Sequence, residues 1–170
     1  MRSHGAADFL ATTYEFHLIC NGITSIVSPS LYSAGLSTIT HVRHDSVLSN
    51  HHPVVNCWAS VWSGCALIVN HTTPIHRDWG ATASSYDLLV SAGTHSHCYL
   101  DLPDIGARLR YLPGTGIFIS EKVLRHQVDE WLGGERICGA YFMKDAVHDR
   151  LGVARPSWPC LDDYWALIDT

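Results

Sequence analysis

From residue 54 to residue 143 the chain alternates short apolar runs with turn chemistry, and that rhythm limits the fold more than any other feature. The runs cover residues 54–62, 65–70, 86–91, 97–102, 108–112, 116–120, 123–128 and 136–143 and are rich in branched and aromatic residues. Between them stand Ser63-Gly64, Thr73-Pro74, Gly93-Thr94, Pro103-Asp104, Pro113-Gly114 and Gly133-Gly134. Runs of this length and composition, bounded by Gly and Pro, predict strands. Several short strands at near-regular spacing indicate an antiparallel sandwich or barrel, and eight fit a double-sheet jelly roll. The expected fold is mainly β, with a double-stranded β-helix core over residues 54–144.

The flanks are less regular. Residues 5–20 can form a short helix, with Phe9, Leu10, Phe16 and Leu18 as its apolar side. Residues 21–53 are rich in Ser, Thr, Gly, Asn and His and carry Pro29 and Pro53, so they are expected as irregular cover over the core. A helical turn is expected at 145–151, followed by a coil tail holding Pro156, Trp158 and Pro159. At 170 residues the chain suits one domain with its own core. Its expected parts are the cover 1–53, the core 54–144 and the helix and tail 145–170.

Composition narrows the setting. Hydrophobic residues are 46% and charged residues 16%, the balance of a soluble globular protein. No apolar run reaches the roughly 18–20 residues that span a bilayer, and the N-terminus, with Asp8, has no clean apolar region of a signal peptide. Six cysteines without a CxxC pair point to reduced thiols, so an intracellular monomer is expected. A net charge of −5 excludes binding to polyanions by bulk charge. Twelve histidines favour a metal site and also accidental motifs. His41, His44, His51 and His52 have no cysteine spacing to complete a zinc site and are expected as solvated loop residues.

Chemistry concentrates between His76 and Arg136. In a strand, residues i and i+2 share a face, so His76 and Asp78 can hold one metal together. Two imidazoles and one carboxylate on one face of an octahedron form the facial triad of non-haem Fe(II) oxygenases. His126, in the apolar run 123–128, is the candidate third ligand. Arg136 opens another apolar run, where a guanidinium is costly unless it meets a carboxylate, and its fork suits a bidentate grip on one. If 126 and 136 belong to one hairpin, a two-residue Gly133-Gly134 loop points them to opposite faces. A three-residue loop from Leu132, pairing Trp131 with Glu135, or a bulge, turns Arg136, Cys138, Ala140, Phe142 and Lys144 towards His126.

An HxD, a distal His and a basic residue ten positions later resemble the 2-oxoglutarate/Fe(II)-dependent oxygenases over residues 54–150, whose core is cupin-like. The resemblance implies His76, Asp78 and His126 as iron ligands, Arg136 as the anchor of 2-oxoglutarate, and O2 as the oxidant. A narrower likeness is to the Tet/JBP group, carried by HRDWGATASSYDLLVSAG, LRHQV and RICGAYFMKDAVHDRLGV. It implies oxidation of the methyl of a 5-methylcytosine-like pyrimidine in nucleic acid, DNA more than RNA, in the nucleus. Phe142 would stack on the extruded base, with Lys144 and Trp79 beside it. Lys144 replaces an expected polar base-reading side chain, and Ala81 offers no side-chain hydrogen bond. Arg77, Arg108, Arg110, Arg125 and Lys144 are candidates for a basic rim. Two alternatives are a 2-oxoglutarate/Fe(II) hydroxylase of a small molecule or protein side chain, expected in the cytoplasm, and a non-catalytic cupin-like metal-binding module.

Overall fold

The computed structural model describes residues 3–51, 54–158 and 160. The chain divides into two compact units, Met1–Ser63 with Ala146–Thr170, and Gly64–Asp145.

The first unit is helical: α1 (Ser3–Thr12), α2 (Tyr14–Val27), α3 (Pro29–His44), α4 (Ser46–His51), α5 (Val54–Cys57) and most of α6 (Asp145–Leu151). The expected irregular cover at 21–53 is therefore helix at its described residues, interrupted only at Ser28 and Asp45. Pro29 does mark a break, since α2 ends at Val27 and Pro29 starts α3, where its missing N–H costs nothing. Of the apolar side expected for residues 5–20, only Leu10 is buried, while Phe9, Phe16 and Leu18 are exposed. The buried stripe of α2 is His17, Cys20 and Thr24, at helical spacing. The run 54–62 is no strand. A short apolar run cannot by itself distinguish buried strand from helix, and here it forms α5 and a loop in which Trp58 Nε1 donates to the Trp62 carbonyl at 2.8 Å. His41 and His44 lie on α3, exposed, each with Nδ1 donating to the carbonyl four residues back. His52 and Pro53 lie outside the described residues, as do Pro159 and the last ten positions of the tail.

The second unit is the β core. Its strands are β1 (Gly64–Val69), β2 (Thr73–His76), β3 (Asp87–Gly93), β4 (Tyr99–Leu102), β5 (Ala107–Arg110), β6 (Gly116–Ile119), β7 (His126–Val128) and β8 (Arg136–Phe142). They form two antiparallel four-stranded sheets, ordered β1-β8-β3-β6 and β2-β7-β4-β5, a jelly-roll core. Residues from both sheets share one apolar cluster, with Leu89, Cys138 and Ala140 from one and Leu100, Leu102 and Val128 from the other. Leu100 is 1% exposed, and burying a side chain of that kind contributes roughly 1.5–3 kcal/mol. No helix among the described residues is long and apolar enough to cross a membrane.

Two local features position the site. The first is a bulge in β2: Thr73 pairs with Val128 but His76 pairs with His126, so three steps on β2 match two on β7. An extra residue reverses the alternation of faces beyond it. Pro74 and Ile75 lie exposed at the bulge, on an edge strand where a proline is tolerated. The second is the connection from β7 to β8. The two strands belong to different sheets, so the expected hairpin with Trp131 opposite Glu135 does not form. The chain crosses between the sheets through Gly133 and Gly134, both at positive φ, and a Cβ on Gly134 would meet the Thr94 backbone.

Candidate metal centre

Cross-strand pairing explains why two distant histidines meet. His76 and His126 are direct partners across β2 and β7, with ring centroids 4.2 Å apart. Asp78 follows two residues after His76. Its backbone N–H donates to the Glu121 carbonyl at 3.0 Å, and Arg77 Nε donates to the Val123 carbonyl at 2.9 Å. These bonds tie the segment after β2 to the turn that leads into β7. One donor atom from each of His76, Asp78 and His126 lies within 4.8 Å of the others. It is the one such group of three or more His, Cys, Asp or Glu among the described residues.

The ring protons support ligation. His76 Nδ1 donates to the Pro74 carbonyl at 2.9 Å and His126 Nδ1 to the Leu124 carbonyl at 3.2 Å. A carbonyl only accepts, so each neutral ring carries its proton at Nδ1 and presents a lone pair at Nε2. Metal-binding histidines are oriented by outer bonds of this kind. Burial, chiefly, pulls the His126 pKa down, keeping it the neutral ligand a cation needs. His76 Nε2 stands 3.6 Å from Asp78 Oδ1. The donor set fits a borderline divalent cation with open positions, Fe(II) included.

The same cavity, about 50 Å³, is lined by the three candidate ligands and by Arg136, Tyr111, Glu121 and Cys138 among others. Arg136 faces it with Cys138 and Ala140, the even-numbered side of β8. The parity expected from a hairpin loop is instead set by the bulge in β2 and the crossing between sheets. Arg136 is 1% exposed and forms no ion pair with Glu130, Glu135 or any other described acid. Its Nη1 donates to the His71 carbonyl at 2.9 Å, and the Tyr111 and Trp131 rings lie 5.7 and 6.0 Å from its guanidinium carbon. Its Nε has no partner. Tyr111 hydroxyl and Cys138 Sγ are 3.2 Å apart, and burial pushes both pKa values up, so neither supplies a counter-charge. A buried cation with an unused donor can accommodate a carboxylate.

Two further acids sit here that the sequence pattern did not single out. Glu121 is 2% exposed and Asp87 is fully buried. With no cation near, burial and then the charges of Asp87 and Asp78 push Glu121 up to about 9. Burial pushes Asp87 up to about 7, although the Glu121 and Met143 N–H groups face it and moderate the rise. Neither Asp87 oxygen makes a hydrogen bond of good geometry. Glu121 lies in Ser120-Glu121-Lys122, which reads as an ordinary polar turn, so no local signal marks it.

The remaining expected site residues lie outside the cavity lining. Phe142 is half-buried over Gly64, and Lys144 Nζ stands 5.0 Å from its ring centroid. Trp79 is 74% exposed. The rim cations are mostly spent within the protein. Arg77 and Arg125 both bind Asp104, at 3.1 and 2.7 Å, and Arg108 reaches Asp101 at 3.3 Å and covers the Tyr99 ring. The Arg125 backbone N–H and guanidinium, with Arg77, pull Asp104 down to about 2.

No protein-family model and no curated protein sequence matches the chain. The structure is similar to that of NgTET1 in complex with 5mC DNA, with a TM-score of 0.63 and 14% identity over 96% of this chain and 60% of that one. The chain thus spans 60% of the length of NgTET1. A cupin 2 conserved barrel domain protein from Salinispora arenicola CNS-205 aligns at a TM-score of 0.38 and 18% identity, covering 52% of this chain and 68% of its own. The QdtA 3,4-ketoisomerase from Thermoanaerobacterium thermosaccharolyticum aligns at 0.36 and 15%, covering 53% and 66%. At these identities the likeness to NgTET1 is one of fold.

Proposed function

We propose that the chain is an Fe(II)- and 2-oxoglutarate-dependent dioxygenase that oxidises the methyl group of a methylated pyrimidine in nucleic acid. The observation that carries this reading is one cavity holding His76, Asp78 and His126 beside the unpaired, buried Arg136. His76 and His126 would hold iron through Nε2, and Asp78 through its carboxylate. Bound there, Fe(II) supplies the centre at which O2 is activated while 2-oxoglutarate is converted to succinate. Arg136 grips the distal carboxylate of that co-substrate, whose charge replaces the counter-ion Arg136 lacks. The cavity as it stands has room for a few waters, so a five-carbon dicarboxylate enters by moving side chains of its lining. Leu89, Leu100, Val128 and Ala140 keep bulk water from the reacting atoms.

The substrate assignment draws on NgTET1, whose structure was solved with 5mC DNA. Phe142 and the exposed Trp79 offer flat faces to an extruded base, with the Lys144 ammonium beside the Phe142 ring. One observation favours a second reading, hydroxylation of a small molecule or protein side chain. Arg77, Arg125 and Arg108 are already engaged by Asp104 and Asp101 and are poorly placed to neutralise phosphates.

The test incubates the protein with methylated DNA and RNA, Fe(II), ascorbate and 2-oxoglutarate, followed by digestion and mass spectrometry. Oxidised methylpyrimidine with matching succinate is the expected result. Succinate released only with a small molecule or peptide moves the assignment to the second reading. No succinate with any substrate removes the oxygenase reading.

A further inference from the structure

Tyr111 and Cys138 meet in the wall of the cavity that holds His76, Asp78 and His126. The phenol oxygen and Sγ are 3.2 Å apart, and the two residues are 0% and 2% exposed. The ring carbons ortho to that oxygen are the phenol's reactive positions, and a small turn of the Cys138 side chain brings Sγ onto one. Among the side chains lining the cavity, a thiol and a phenol give up a hydrogen atom most readily. Oxidants in solution reach thiols that are exposed and ionised. Cys138 is neither, since burial holds its proton on, so the oxidant that meets it is one formed inside the cavity. That cavity has room for only a few waters, which keeps such an oxidant close to its walls.

We propose that Tyr111 and Cys138 are a modification site, joined by a thioether between Sγ and an ortho carbon of the phenol when 2-oxoglutarate is turned over without substrate. This rests on the dioxygenase reading of the cavity. O2 is the oxidant. One of its oxygen atoms goes to 2-oxoglutarate, which leaves as succinate and CO2. The Sγ–H bond and one ring C–H bond break, the S–C bond forms, and the two hydrogens leave with the other oxygen atom as water. The new bond ties β8 to the residue that follows β5. It also fixes the ring that lies 5.7 Å from the Arg136 guanidinium carbon.

The full chain is purified without oxygen, loaded with Fe(II), and exposed to 2-oxoglutarate and air with no other substrate while succinate is measured. It is then reduced, alkylated, digested and mapped by mass spectrometry. The expected product is a linked pair of peptides carrying Tyr111 and Cys138, lighter by two hydrogen atoms and not alkylated at Cys138. It should be absent from Tyr111→Phe and Cys138→Ala and when 2-oxoglutarate is left out. Reduction first opens any disulfide to the neighbouring Cys98, which would otherwise give the same mass. The linked protein should also melt at a higher temperature than before exposure, because a tie between residues 27 positions apart restricts the unfolded chain. Succinate without the linked peptides overturns the thioether and leaves the dioxygenase reading standing, as does an oxygen atom added to either residue in its place. A link that forms equally without 2-oxoglutarate overturns its origin in turnover. No link, with succinate appearing only once a substrate is added, also overturns the thioether alone. No succinate under either condition removes both readings. Because the wild type is mapped directly, the result stands even where a variant does not fold.

Discussion

The inside of the β core and its rim handle charge in opposite ways. Inside, Arg136 keeps an unpartnered Nε, and Asp87 and Glu121 keep carboxyl oxygens without donors. On the rim, Asp104 alone engages two arginines, and Asp101 engages a third. Exposed pairs of that sort contribute little, because water screens them. Buried groups without partners cost far more. Two of them, Arg136 and Glu121, line one cavity with His76, Asp78 and His126, which is where the proposed cation and carboxylate would complete them. The rim is already satisfied by its own acids.

The strongest test of this contrast is Asp78→Ala. It removes the anionic member of the triad, and stoichiometric Fe(II) or Co(II) binding should be lost, as read by calorimetry. Retained binding would show that the interior charges serve only structure. Next is Arg136→Ala, for which 2-oxoglutarate affinity should fall by at least ~2 kcal/mol, with Arg136→Lys recovering only part because the fork is lost. Equal affinity in the alanine variant would place the anchor elsewhere.

The third test uses pH on metal-free protein. Asp87 and Glu121 are raised from 3.8 and 4.5 to about 7 and about 9. From roughly pH 4 up to about 7 for Asp87 and about 9 for Glu121, the unfolded chain has lost the proton that the folded chain still holds. The unfolded state therefore binds fewer protons, and stability falls as pH rises through that window. Thermal melts of Asp87→Asn/Glu121→Gln should show a weaker decline than the wild type, and an unchanged slope would assign it to other groups. The smallest effect belongs to the rim. Asp104→Asn should free Arg77 and Arg125, and if DNA binds there, the slope of log affinity against log salt should steepen by about 0.9 for each phosphate newly met. Without any steepening, the rim arginines are not part of a nucleic-acid path.

Much of the core was legible because side-chain alternation is local. Seven of the eight apolar runs hold the strands β1 and β3 to β8. The run 54–62 failed because composition alone cannot separate a buried strand from a helix. The strand expected to carry both His76 and Asp78 starts at the supposed Thr73-Pro74 break, where the bulge takes up the proline, and ends at His76. The helices of 21–44 were hidden by their Ser, Thr, Gly and His content, each a weak helix former whose preference tertiary packing overrides. In the site, His76, Asp78, His126 and Arg136 could be named from spacing. Glu121 could not, since a glutamate in a turn carries no mark of burial, and Asp104 could not, since counting charges does not reveal which are paired.

Sequence by itself determined a β core of short strands, because alternation follows from the two-residue repeat of a strand. It also marked two donors in HxD, although β2 ends at His76 and that repeat does not reach Asp78. Tertiary structure decided the rest. Pairing β2 with β7 through a bulge set His76 opposite His126, and splitting β7 and β8 between sheets turned Arg136 inward. Register and burial depend on contacts between residues distant in the chain, and one added residue on an edge strand reverses which face its side chains meet.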